Sequence, residues 1–166
     1  LIALAESPLP VVAAITGHSP AGGAVLALCC DRRVMVDGPF GIGLNEVRIG
    51  IAMPEIVALL LRRAVGARRA EELCVTGRLL QPAEALAIGL IDEVAPDPVA
   101  AARAWCGHIL EAPAQALAET RRRLRRDLVD LVRGQRDEDV RRLAEAWFEP
   151  ELQRSLRELV TRLKAK

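Results

Sequence analysis

The hydrophobic pattern of this 166-residue chain changes character once, near Pro96. Before that point the apolar runs are short and punctuated by Gly, Pro and Asp. Val11-Val12-Ala13-Ala14-Ile15-Thr16 is apolar without alternation and rich in β-branched residues, which predicts a buried strand. Gly17 ends it, His18-Ser19-Pro20 reads as a polar loop, and residues 24–30 read as a buried helix closed by Asp31 and Arg32. Residues 33–36 form a short strand turned by Asp37-Gly38-Pro39. Residues 40–44 are extended, and residues 46–49 are a brief strand or turn. Pro54 suits the first position of a helix whose apolar face is Ile56, Val57, Leu60, Leu61 and Ala64, with Gly66 as its stop. A second helix over 67–75 turns Ala70, Leu73 and Cys74 inward. Arg78-Leu79-Leu80 is a short strand, Pro82 opens a helix that ends at Gly89, and residues 90–94 are a last strand. Short strands alternating with helices indicate an α/β arrangement.

From Asp97-Pro98 onward, an N-cap followed by a proline at the first helical position, helical spacing dominates. Leu117, Leu124, Leu128 and Leu131 share one periodicity. Val140, Leu143 and Trp147 share another, and Leu152, Leu156, Leu159, Val160 and Leu163 a third. Pro113, Gly134 and Pro150 punctuate these helices. The chain therefore divides into an α/β part, 1–96, and an α-helical part, 97–166. Arg121-Arg122-Arg123-Leu124-Arg125-Arg126 reads first as a solvated helix face.

Hydrophobic residues at 51% supply a core, while aromatics at 2% make it aliphatic. Lys and Arg number 23 against 22 Asp and Glu, a balance that argues against general nucleic-acid binding. Cys29, Cys30, Cys74 and Cys106 show no metal-ligand spacing, and Cys29 and Cys30 read as small buried hydrophobes in a reducing compartment. No signal peptide is visible, and no apolar run reaches the ~18–20 residues of a membrane span. No metal or redox cofactor motif is present.

The chemistry concentrates between Val11 and Gly50. A strand, a tight turn and the start of a helix aim unpartnered backbone N–H groups at one point, with Ala21-Gly22-Gly23 at the turn. Glycine there allows close approach of a ligand oxygen. Gly43-Leu44-Asn45-Glu46 supplies a carboxylate. Taken alone, the glycine pair also fits plain strand–helix packing, and Glu46 also fits a solvated strand position.

The stretch SPLPVVAAITGHSPAGGAVLALCCDRRVM resembles the signature segment of the crotonase (enoyl-CoA hydratase/isomerase) superfamily. The likeness continues through Gly66-Ala67-Arg68-Arg69-Ala70-Glu71-Glu72-Leu73, Thr76-Gly77-Arg78 and Gly89-Leu90-Ile91-Asp92-Glu93-Val94 to Pro96, and more weakly to the C-terminus. Ser-Pro-Ala-Gly-Gly and Gly-Leu-Asn-Glu most resemble the mitochondrial-type Δ3,Δ2-enoyl-CoA isomerases. The resemblance implies a ClpP/crotonase-like β-β-α spiral with a C-terminal helical trimerisation region, giving a homotrimer or a dimer of trimers. It also implies that the chain begins in mid-domain. The first repeats, with a second oxyanion N–H and much of the coenzyme A pocket, would then lie upstream.

The resemblance further implies an acyl-CoA thioester as substrate and no cofactor. Gly22 then matches the oxyanion donor and Glu46 the catalytic base, with Pro20, Ala21, Gly23, Val25 and Asn45 around the substrate. Val25 stands where hydratases of the superfamily carry a second glutamate, which favours a double-bond shift over addition of water. Other readings stay open: a different crotonase-type acyl-CoA enzyme, or a truncated homologue that keeps the trimer-forming helices without turnover. For the arginine run, the resemblance adds coenzyme A phosphates as an alternative. His18 fits loop hydrogen bonding better than acid–base work, and His108 a surface position. The expected location is the cytoplasm in a bacterium and the mitochondrial matrix in a eukaryote.

Overall fold

A computed structural model describes residues 1–164, apart from the side chains of Arg162 and Leu163. The Leu163 side chain, expected on the apolar face of the last helix, therefore lies outside the described residues. A short helix α1, Ile2–Glu6, precedes strand β1, Val12–Ile15. Strand β2, Ser19–Pro20, leads to helix α2, Gly22–Leu28, and on to β3, Arg32–Val36. Strand β4, Ile42–Gly43, is followed by a 3-10 turn, Glu46–Ile49, and then by helices α3, Glu55–Val65, α4, Ala67–Thr76, and α5, Pro82–Ala87. Strand β5, Glu93–Ala95, ends the α/β part. Helices α6, Pro98–Ile109, α7, Ala114–Leu124, α8, Arg126–Trp147, and α9, Pro150–Lys164, follow.

Strands β1, β3 and β5 form a parallel sheet in the order β1-β3-β5, with Val12 opposite Arg32 and Val34 opposite Glu93. Parallel neighbours need crossovers, and α2 supplies the first. The strand expected to be buried is an edge strand. Ile15 is buried, Val12 and Ala13 are half-buried and Ala14 is exposed. Helix α6 packs on β1 and β3, and α2 also touches both strands.

Three further expectations need correction. The loop at Ser19-Pro20 is a strand, because both residues pair with Ile42 and Gly43 in a second, two-stranded parallel sheet. The strand expected at residues 78–80 is a single antiparallel bridge from Leu80 to Ile42. Gly134 does not break a helix: α8 runs through it, and the interruption falls at Arg125, which closes α7 and opens α8.

The helix ends follow their local chemistry. Asp97 Oδ1 accepts from the Val99 and Ala100 amides at 3.0 and 2.9 Å. Gln81 and Glu84 form a reciprocal capping box at α5 with Pro82 just inside. Helix α3 begins one residue after Pro54, and its first amides are capped from far along the chain. The Glu55 and Ile56 N–H groups donate to the Asp139 carboxylate of α8 at 3.4 and 3.2 Å. Leu60 and Leu61 on the inner face of α3 are almost fully buried, as are Leu128 and Val132 of α8. Burying such side chains is worth about 1.5–3 kcal/mol each.

The arginine run is divided between core and surface. Arg121 is buried, with Nε on both oxygens of Asp31 at 3.1 and 2.9 Å. Its Nη groups donate to the carbonyls of Leu4, Ala5 and Ser7. Asp31 in turn accepts the Val11 amide at 2.7 Å. This residue, expected on a solvated face, instead fastens α7 to α1 and to the start of β1.

Candidate active site

Two backbone pairings set the geometry. Ser19 N–H donates to the Gly41 carbonyl and Ala21 N–H to the Gly43 carbonyl, each at 2.8 Å. The segment entering α2 therefore lies alongside the segment that leads to Glu46. His18 serves this loop: its Nδ1 accepts the Gly41 amide at 3.0 Å and its ring meets Phe40 edge-on.

Ala21 is held at φ 47°, the one non-glycine residue with positive φ among the described residues. Such a backbone costs of the order of 1–3 kcal/mol and persists only where surrounding bonds enforce it. Here the Gly43 carbonyl holds its amide, and its own carbonyl accepts from Val25 N–H at 2.9 Å. The kink turns the chain into α2 at Gly22. The amides of the first helical turn have no partner within the helix.

The two glycines differ in their surroundings. A Cβ on Gly23 would stand 2.8 Å from Ser19 Oγ, so a side chain there would have to displace that hydroxyl. A Cβ on Gly22 would meet nothing within 4 Å, so the space in front of that residue is open. Packing does not explain Gly22. Pro20 is exposed, Ala21 half-buried, and Val25 buried in the core with Leu44.

Leu44, 2% exposed, anchors the other strand just before Asn45 and Glu46. Glu46 opens the 3-10 turn and is itself buried. Its Oε2 and the Oδ1 of Asn45 are buried acceptors without a hydrogen-bond donor among the described residues. Burial pushes the Glu46 carboxyl above its ordinary value, and a bond from its own amide pulls it partly back. The turn is closed by Gly50 at φ 85°, and Ile51 N–H returns to the Glu46 carbonyl at 3.0 Å. Helix α4 braces it: Arg48 Nε donates to the Thr76 carbonyl, and a Cβ on Gly77 would meet Val47. Helix α9 braces it from another side through buried Leu152, whose Cδ1 lies beside Gly50.

Cys74 is the residue here that spacing did not single out for chemistry. It was expected to face inward on α4, which it does. Its thiol is pushed up first by burial and then by the charge of Glu46, so it belongs to the surroundings of the carboxylate. Cys29 and Cys30 are buried with thiols pushed up mainly by burial, which suits small apolar fillers. His108 is exposed beside Glu111. Among the described residues no cluster of His, Cys, Asp and Glu could hold a metal, and no helix is long and apolar enough to cross a membrane.

The α/β fold thus holds a kinked helix start at Ala21-Gly22 and, after the strand paired to it, a buried carboxylate with one undonated oxygen. The chain belongs to the enoyl-CoA hydratase/isomerase family, whose model matches residues 1–166. It is 37% identical over 166 residues to enoyl-CoA delta isomerase 1, mitochondrial, of Mus musculus, covering 98% of this chain and 57% of the mouse protein. It is 42% identical over 144 residues to a putative enoyl-CoA hydratase of Thermus thermophilus, covering 82% of this chain and 52% of that one. The crystal structure of human mitochondrial delta3-delta2-enoyl-CoA isomerase superposes with a TM-score of 0.91 at 35% identity, over 99% of this chain and 65% of the human one. The chain thus spans little more than half the length of the curated relatives it matches.

Proposed function

We propose that this chain carries the proton-transfer half of an enoyl-CoA isomerase site, converting a 3-enoyl-CoA to the trans-2-enoyl-CoA in fatty-acid β-oxidation. Glu46 takes a proton from C2 of the thioester. The electron pair moves toward the carbonyl, and negative charge gathers on the thioester oxygen. The Gly22 N–H, in the first turn of α2 where amides have no partner within the helix, donates to that oxygen. A fixed donor of this kind is worth roughly 3 kcal/mol in the transition state. Protonated Glu46 returns the proton at C4, and the double bond moves from C3–C4 to C2–C3. Atoms and charge balance with one carboxylate and no cofactor.

The observation that carries this reading is the buried Glu46 carboxylate whose Oε2 accepts no donor. A buried carboxylate with one oxygen free of donors is poised for a carbon acid. Asn45 is proposed to orient that segment, and Pro20, Ala21, Gly23 and Val25 to shape the acyl side. A second reading, hydration, is supported by the Thermus relative's description. It is weakened by Val25, a core side chain where a second acid would have to stand. Assembly as a homotrimer through the C-terminal helices is part of the proposal. Val140, Leu143 and Trp147 on α8 and Phe148 just beyond it are exposed apolar residues available for such a contact.

The test is turnover of a 3-enoyl-CoA by the full-length protein and by its Glu46→Gln variant, with product followed as the 2-enoyl thioester. Loss of turnover with substrate binding retained supports the assignment. Retention of most of the activity, or a dominant 3-hydroxyacyl-CoA product from a 2-enoyl-CoA, would remove it.

A further inference from the structure

The 3-10 turn that presents Glu46 is short and has little of its own to hold it. Within it the Arg48 amide donates to the Asn45 carbonyl at 3.0 Å, and the Gly50 amide reaches the Val47 carbonyl at 3.3 Å. Turns of this kind have poorer hydrogen-bond geometry than α-helices and rarely run further. The Glu46 Oε2 has no donor among the described residues, so no hydrogen bond at that oxygen fixes where it points. What packs on the turn from outside therefore sets the place of the carboxylate, and α4 and α9 both do so.

The end of α4 fits the turn closely. Gly77 closes that helix in the left-handed region, at φ 58°, with its amide on the Leu73 carbonyl at 2.8 Å. A Cβ there would stand 2.7 Å from Val47 Cγ1 and 2.8 Å from Arg48 Cγ. Those are the two residues that follow Glu46, so a side chain on Gly77 would press on the turn itself. One residue earlier, the Thr76 carbonyl accepts from Arg48 Nε. Carbonyls of a last helical turn lack a partner within the helix and sit at the negative end of its dipole, which suits a guanidinium. Arg48 is exposed, so this bond matters more for geometry than for stability.

We propose that Arg48 and Gly77 are positioning residues for Glu46: together they latch the 3-10 turn to the end of α4 and so fix the base against the reacting carbon. The inference rests on the isomerase reading and adds to it the part of the fold that holds the base still. Because a misplacement of about 1 Å can cost about 100-fold in rate, releasing one side of the turn with α9 still in place should cost about tenfold.

The test is steady-state turnover of a 3-enoyl-CoA by the full-length protein, assayed below the Tm of every variant. Arg48→Met keeps the reach of the side chain and removes its N–H. Arg48→Gln also removes the charge but places an amide N–H at the reach of Nε. Arg48→Met should lower kcat about tenfold with KM unchanged, and Arg48→Gln should restore most of the loss. Gly77→Ala should lower kcat likewise, and the Arg48 pair carries the test should that variant fail to fold. Gly66→Ala separates strain from positioning, because Gly66 also has a positive φ, 79°, but a Cβ there meets nothing within 4 Å. It should lower Tm and leave kcat unchanged. An unchanged kcat in Arg48→Met, equal losses in Arg48→Met and Arg48→Gln, or equal losses in Gly66→Ala and Gly77→Ala would each overturn the latch. Glu46→Gln is assayed alongside. Parental turnover in that variant removes the isomerase reading itself, whereas its inactivity beside a fully active Arg48→Met removes the latch alone.

Discussion

Replacing Glu46 with Gln should make the folded protein more stable at neutral pH, in the same step that removes its base. The carboxyl is 8% exposed and its Oε2 has no donor. In the unfolded chain it ionises near 4.5, and in the folded one it ionises higher because burial penalises the charge. Between those two points the folded state holds a proton that the unfolded state has lost. Stability therefore falls as pH rises through that window, and above it the whole cost of the buried charge is felt. Below 4.5 both states are protonated and the cost disappears. A buried group left unsatisfied costs about 1–3 kcal/mol, more when charged. The glutamine amide meets the same sparse surroundings, so the net gain should be about 1–2 kcal/mol. At ~2–4 °C per kcal/mol for a chain of this size, Tm should rise by roughly 2–8 °C. Scanning calorimetry of both proteins between about pH 4 and 8 gives the comparison. The curves should converge at the acid end and separate toward neutrality. A variant less stable than the parent at neutral pH would mean that Glu46 is stabilised by a partner, and the poised-base argument would collapse.

Three other perturbations follow from particular contacts. Arg121→Ala leaves three carbonyls without their donor, while Asp31 keeps Arg125 and the Val11 amide, and should lower unfolding free energy by about 1–3 kcal/mol in a urea titration; an unchanged midpoint would mean that the clamp is solvated. Asp139→Ala removes the remote cap of α3 and should cost about 0.5–2 kcal/mol, seen as a lower urea midpoint with unchanged slope. Ala21→Gly should leave Tm unchanged or slightly raised, while Ala21→Val should lose about 1–3 kcal/mol, because a β-branched residue tolerates that backbone poorly; equal behaviour of the two would show that the kink is not enforced.

Local signals carried most of the helical architecture. Proline, glycine and N-cap chemistry marked α5, α6 and the end of α3, because those boundaries are decided by neighbouring residues. What depended on distant partners was less legible. Ser19-Pro20 became a strand only because Ile42-Gly43 lies beside it. Residues 78–80 lost their strand because one bridge was all they were offered. Gly134 gave way to helix propagation, and Arg121 left the surface because Asp31 and three carbonyls awaited it on other segments. Around the site, Gly22 and Glu46 were marked by resemblance rather than by physics, since the packing reading was equally open for both glycines. Only the tertiary structure separates Gly23, crowded by the Ser19 hydroxyl, from Gly22, where a Cβ would meet nothing within 4 Å. The orphaned Oε2 and the nearness of Cys74 to Glu46 arise from α4 crossing the 3-10 turn, which no pattern in either segment announces.

Strand β1 lies at the end of its sheet, and all its described pairing is with β3 on one side. Edge strands present a row of backbone groups to any extended segment that arrives. Beside this edge, Ile15, Leu26 and Ala27 help line a groove of about 400 Å3. A segment supplied in trans, parallel to β1 and apolar at alternate positions, would meet both a hydrogen-bonding template and a place for its side chains. Protection of the Val12–Ile15 amides from exchange with deuterium would report such pairing.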